Sequence, residues 1–165
     1  MFNQGDLVTY STSGVCKAGK SVTQNIGGKQ REYYCLYPFD KPFNRILVPV
    51  DSAKLKEKIR SVPSSSQLQE LFDNAEKFCF NWQENDVKRN EEFLSVIELG
   101  DTVKLFGVIG CLVKKKAELT SSSRHLKTAD NSALKVAERM FCSCVSAVFE
   151  ISFEEAVEKT EKVFF

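Results

Sequence analysis

Six cysteines, one histidine and a few carboxylate pairs are the residues of this 165-residue chain whose types suit nucleophilic, metal or acid–base chemistry. Their spacing points away from it. The cysteines stand at 16, 35, 79, 111, 142 and 144, mostly in apolar runs such as "YYCLY" and "VIGCLV". Scattered thiols of this kind in an intracellular chain read as reduced, buried, small hydrophobes. Cys142 and Cys144 form the one close pair, but two positions along a helix turn side chains about 200° apart. No second pair or histidine cluster completes a tetrahedral zinc site. His125 lies in the polar run "SSSRHLK", where no partner is implied that would orient it as a general base. Glu91-Glu92 and Glu154-Glu155 fit solvated helix faces. Phosphate loops, dinucleotide fingerprints, H-E-x-x-H and G-x-S-x-G are missing from the sequence. The expectation is a protein that is not an enzyme and needs no cofactor and no metal.

The remaining distinctive side chain is Trp82, the only Trp, in the polar stretch "FNWQEND". An indole there either plugs a core or meets a partner. Charge limits the partner. Residues 1–50 hold six Lys/Arg against three acids, and the rest of the chain holds 17 against 19. A domain that grips DNA unaided should be clearly basic, so any DNA contact is expected to be local, weak and assisted by another protein. No run of 18 apolar residues occurs, and the "MFNQGDLVTY" start lacks a basic and an apolar region, so no membrane span and a cytoplasmic location are expected.

The elements that would position these residues change character near residue 51. "DLVTY", "GVCKAGKSVTQNI", "REYYCLYPF" and "NRILVPV" read as short strands, with Gly27-Gly28 supplying a tight hairpin turn. They predict a strongly bent sheet or small barrel. From Asp51, itself a candidate cap, the period becomes helical. "SVPSSS" is the expected junction. "SSSQLQELFDNAEKFCF" opens on a capping box, Ser64-x-x-Gln67. "DVKRNEEFLSVIEL" is stopped by Gly100. "DTVKLFGVIGCLVKKK" carries Gly107 and Gly110 for a close helix approach and ends in Lys114–Lys116, where the dipole favours cations. Asp130 is placed to cap a long apolar helix, and Ser152-x-x-Glu155 opens a last one.

With these elements in place, "MFNQGDLVTYSTSGV" resembles the F-x-x-G-D-x-V-x-Y-x-x-x-G-V opening of the CarD/CdnL family of bacterial transcription regulators, through Phe2, Gly5, Asp6, Val8, Tyr10, Gly14 and Val15. "IGGKQREYYCL" is similar to a second family block through Ile26, Gly28, Tyr33, Tyr34 and Leu36, and "ILVPVDSA" to a third. The order of a Trp, a helix, "GD", a Lys-ended helix and a long helix also fits, so the likeness runs from about residue 2 to about 157. It implies an α+β fold: a Tudor/SH3-like small β-barrel over 1–52, a connection over 53–63 and a helical bundle over 64–165. It implies a non-enzymatic regulator, acting as a monomer. The β-domain, of a type shared with the transcription-repair coupling factor, would bind the RNA polymerase β subunit. The helical domain would contact promoter DNA at the upstream edge of the bubble and stabilise the open complex. On that pattern Gln24, Ile26, Arg45 and Leu47 face polymerase, Trp82 is a minor-groove wedge, and Lys88, Arg89, Lys114, Lys115, Lys116, Arg124 and Lys127 touch phosphates. Ser11-Thr12-Ser13 replaces the family's Pro and His, and Glu84 and Asp86 stand where DNA-binding members carry Arg. The alternative reading is an interaction module that binds polymerase or another protein without DNA.

Overall fold

A computed structural model describes residues 2–165. Six strands, β1 (Leu7–Tyr10), β2 (Val15–Ala18), β3 (Val22–Ile26), β4 (Lys29–Pro38), β5 (Ile46–Pro49) and β6 (Ile59–Ser61), form one antiparallel sheet in the order β3-β4-β2-β1-β6, with β5 also paired to β4. The ten-residue β4 organises it. One edge of β4 takes β3 along Lys29–Tyr33 and β2 along Leu36–Pro38, and the other edge takes β5. The β3–β4 hairpin turns on Gly27 and Gly28, with φ of +63° and +80°. Two consecutive positive φ values define the two-residue turn whose twist matches the strands it joins.

The expected barrel is not closed. Closure needs β5 and β6 to pair, and among the described residues they do not. A one-turn helix, α1 (Ala53–Lys56), stands between them. It starts from Ser52, and Asp51, the expected cap, instead holds Arg31 at 2.9 Å. Ile59–Ser61, within the stretch read as a connection, adds β6 to the far side of β1. The bent sheet still encloses a core: Val8, Cys16, Ala18, Tyr34, Leu36, Val48 and Ile59 are buried together on its inner face.

The rest is helical: α2 (Ser65–Asp73), α3 (Ala75–Phe78), α4 (Asp86–Leu99), α5 (Thr102–Ser121), α6 (Thr128–Phe149) and α7 (Phe153–Glu161). Both capping boxes form, Ser64 with Gln67 and Ser152 with Glu155. Gly100 ends α4 in the left-handed region at φ +63°. The helix expected through Phe80 breaks at Asn74, whose Nδ2 donates to the Glu70 carbonyl and caps α2. Lys114–Lys116 do not end α5, which runs on to Ser121. Asp130 does not cap α6 either; it lies in the first turn, buried.

Helices α5 and α6 fill the centre. Phe141 and Phe106 are fully buried, their ring centroids 5.2 Å apart, with Phe72 edge-on to both. Gly107 and Gly110 do permit a close approach, but by the Phe78–Phe80 segment and Phe164 rather than by a second long helix. Val15 of the sheet belongs to this helical core. The turn Ser11–Ser13 docks against it too: Ser11 Oγ donates to the Glu98 carbonyl and Arg139 to the Thr12 carbonyl. All six cysteines are free thiols, five of them buried. Burial pushes Cys16, Cys142 and Cys144 up to about 12, so they stay protonated at neutral pH. No helix among the described residues is long and apolar enough to cross a membrane.

Candidate functional site

Two surfaces collect the residues singled out in the sequence. The first is the outer face of the sheet. Opposed residues in an antiparallel pair share a face, and alternate residues along a strand return to it. Gln24 opposes Arg31, Ile26 opposes Lys29 and Leu47 opposes Cys35. With Arg45 two residues before Leu47, the four residues expected at a polymerase interface lie on one face of the β3–β4–β5 ribbon. Tyr37 joins them, opposed by Lys17. Ile26 is 59% exposed and Tyr37 37%, while Leu47 is half-buried. Lys17, Lys29, Arg31 and Arg45 make the face basic, with Arg31 paired to Asp51. An apolar centre with a cationic rim suits docking onto an acidic protein surface.

The second is a cleft of about 380 Å³ beside Trp82, lined also by Arg89, Lys115, Arg124, His125, Lys127 and Asp130. Trp82 is half-buried and packs on the helical core. The Arg89 guanidinium carbon lies 4.0 Å from its ring centroid and the Lys115 ammonium 5.1 Å. Stacked cations of this kind stabilise an indole and fix its plane. Its Nε1–H is buried without a partner in the structure. The two alternatives for Trp82 thus meet in one residue, which packs on the core and lines the cleft.

Arg89 is the main departure from the expected phosphate contacts. Its side chain is 2% exposed. Nε and Nη2 donate to the two Asp130 oxygens, both at 2.8 Å, Nη2 also to Asp86 at 2.7 Å and Nη1 to the Gln83 carbonyl at 2.6 Å. Asp130 foremost, then Asp86, holds the guanidinium above its already high ordinary pKa. A fork whose donors are taken up internally is a clamp between α4 and α6 rather than a phosphate finger. Asp130 carried a signal of its own: it falls on the stripe of α6 that continues through Ala133, Leu134, Ala137 and Phe141, all buried.

The other cations divide. Lys114 is held by Glu76 at 2.6 Å, Lys115 by Glu118 at 3.0 Å, and Lys127 by Asp86. Those contacts keep the Asp86 carboxyl below its usual pKa, Lys127 foremost and then Arg89. Lys88, Lys116 and Arg124 pair with no carboxylate among the described residues. Arg124, Lys115 and Lys127 line the cleft; Lys114 and Lys115 line a neighbouring hollow that also borders Trp82; Lys88 and Lys116 line neither. No cluster of three or more His, Cys, Asp or Glu able to hold a metal occurs among the described residues.

No curated protein matches the chain. Residues 2–63, which contain all six strands and the face with Gln24, Ile26, Arg45 and Leu47, match the family model described as CarD-like/TRCF RID domain. Residues 2–63 therefore form a CarD-like/TRCF RID domain.

Proposed function

We propose that this protein is a transcription regulator that binds the RNA polymerase β subunit through the outer face of its sheet and contacts promoter DNA through the helices around Trp82, stabilising the open complex. The observation that carries the reading is the gathering of Gln24, Ile26, Arg45 and Leu47 on one solvent-facing, basic surface inside the matched domain. Polymerase then supplies most of the affinity, and the near-neutral helical part works at high effective concentration on DNA. In this reading residues 64–165 form the DNA-contacting unit. Trp82 offers the aromatic wedge, with Arg124, Lys116 and Lys88 as free cations and Lys127, Lys114 and Lys115 available once their carboxylates let go. Arg89 acts behind them by holding Trp82.

The test is binding of the full chain to purified bacterial RNA polymerase. A charge placed at Leu47 meets both the apolar centre and any opposing carboxylate, so Leu47→Asp is expected to weaken binding about tenfold or more. Wild-type affinity in that variant rejects the sheet face as the interface.

The pairing of Lys114, Lys115 and Lys127 with acids favours the second reading, an interaction module without DNA contact. Asp86→Asn separates the two. It releases Lys127 while Arg89 keeps Asp130. If DNA is contacted here, a plot of log open-complex lifetime against log salt becomes steeper by about one phosphate contact, a slope change near 0.9. Glu84→Gln makes the same change in net charge at a residue that lines the cleft but holds no cation, and is expected to leave the slope alone. A stabilisation over polymerase alone that does not change with salt, in the wild type and in both variants, supports the module without DNA.

A further inference from the structure

The loop joining β4 to β5, "FDKPFNR", presents an aromatic side chain that neither core uses. Phe43 is 100% exposed and Phe39 50%. The loop is nevertheless held in place. The Asn44 N–H donates to the Lys41 carbonyl at 2.9 Å, closing a β-turn with Pro42 second and Phe43 third. Proline at the second position presets the φ that such a turn needs. The Lys41 N–H donates to the Pro38 carbonyl at 3.2 Å, and the Phe39 N–H to the Val15 carbonyl at 2.9 Å. Asp40 lies 3.8 Å from Arg139 of α6, so the loop's own carboxylate is turned to an internal cation. Lys41 and Arg45, on either side of Phe43, pair with no carboxylate among the described residues.

A fixed turn with an aromatic at its tip pays little ordering entropy on association, which is the property of an anchor residue. Flanking free cations favour a pocket rimmed by carboxylates. The loop leads through Arg45 directly into Leu47, so its tip extends the sheet face assigned above to polymerase. We propose that Phe43 is an anchor of that interface, seated in an apolar pocket with an acidic rim on RNA polymerase; this rests on the polymerase reading.

The experiment measures affinity of full-chain variants for purified RNA polymerase core enzyme without DNA, beside thermal unfolding. Phe43→Ala removes no internal contact, so its melting temperature should match the wild type while affinity falls about tenfold. Lys41→Glu should weaken binding as well, and more so at low salt. Leu47→Asp serves as the reference. If Phe43→Ala binds like the wild type while Leu47→Asp is weakened, the anchor is overturned and the sheet face stands. If Phe43→Ala instead changes only DNA affinity or self-association, the anchor is likewise overturned and the loop belongs to that partner. If the wild type does not bind polymerase, the anchor and the reading it rests on both fall.

Discussion

Arg89→Ala is expected to lower the folding stability of this protein by about 3–5 kcal/mol, the usual cost of deleting one partner of a buried ion pair. Both side chains are almost fully enclosed, Arg89 at 2% and Asp130 at 4% exposure, so the carboxylate left behind loses two 2.8 Å hydrogen bonds and meets water only through the cleft it lines. The Gln83 carbonyl also loses its donor, and the Trp82 ring loses the cation on its face. Chemical denaturation at neutral pH reads the loss as a lower midpoint at unchanged m-value. Two further variants separate charge burial from packing. Arg89→Lys keeps the charge but cannot form the bidentate fork, and should fall between wild type and alanine. Arg89→Met combined with Asp130→Leu removes both charges at similar volume and should recover most of the stability. A single alanine variant within about 1 kcal/mol of wild type would mean that the pair is open to water.

This pair also shows where sequence reading stops. Caps and turns are local, so Ser64, Ser152, Gly100 and Gly27-Gly28 announce their elements within four residues. The end of α5 is less legible because Lys114–Lys116 look like a stop, whereas Lys114 and Lys115 reach back to Glu76 and forward to Glu118 within a helix that continues. Arg89 and Asp130 are 41 residues apart, and no spacing rule connects them. Each nevertheless stands on the buried stripe of its own helix: Arg89 precedes Phe93, Val96 and Ile97 in α4 as Asp130 precedes Ala133, Leu134 and Ala137 in α6. A charge in register with an apolar stripe must find a counter-charge, and two opposite ones in neighbouring helices identify each other. The open edge between β5 and β6 had no such signal, since strand patterning fixes which residues point inward but not whether the last strand reaches the first. Phe43 was hidden differently: it falls between the two runs read as strands, and only the turn that projects it shows that neither core takes it.

The second large effect is expected at Gly107. In an ordinary helix interior, replacing glycine gains about 1 kcal/mol in propensity. Here the sign reverses. A Cβ on Gly107 would lie 2.4 Å from the Phe78 carbonyl oxygen and 2.7 and 2.9 Å from two atoms of the Phe80 ring. The carbonyl is backbone, and the strand of chain that carries it is tied to the same spot by the Phe80 N–H donating to the Gly107 carbonyl at 3.1 Å. Relief therefore means lifting the Phe78–Phe80 segment off α5 and breaking that bond. Gly107→Val should cost about 3 kcal/mol, the upper end of overpacking, and Gly107→Ala somewhat less. Gly110 provides the comparison. Its nearest neighbours are Cys79 Sγ at 2.5 Å and the Phe164 ring at 2.7 Å, both side chains that can rotate, so Gly110→Ala should be the milder change. Because Trp82 follows Phe80 by two residues, lifting the segment also draws the indole away from Arg89 and Lys115. Gly107→Ala should then shift Trp82 fluorescence under conditions where the protein is still folded and, on the function proposed above, lower open-complex lifetime more than polymerase affinity. Equal stability of the Gly107 and Gly110 variants, with unchanged fluorescence, would show that the segment is free to move and does not set the position of Trp82.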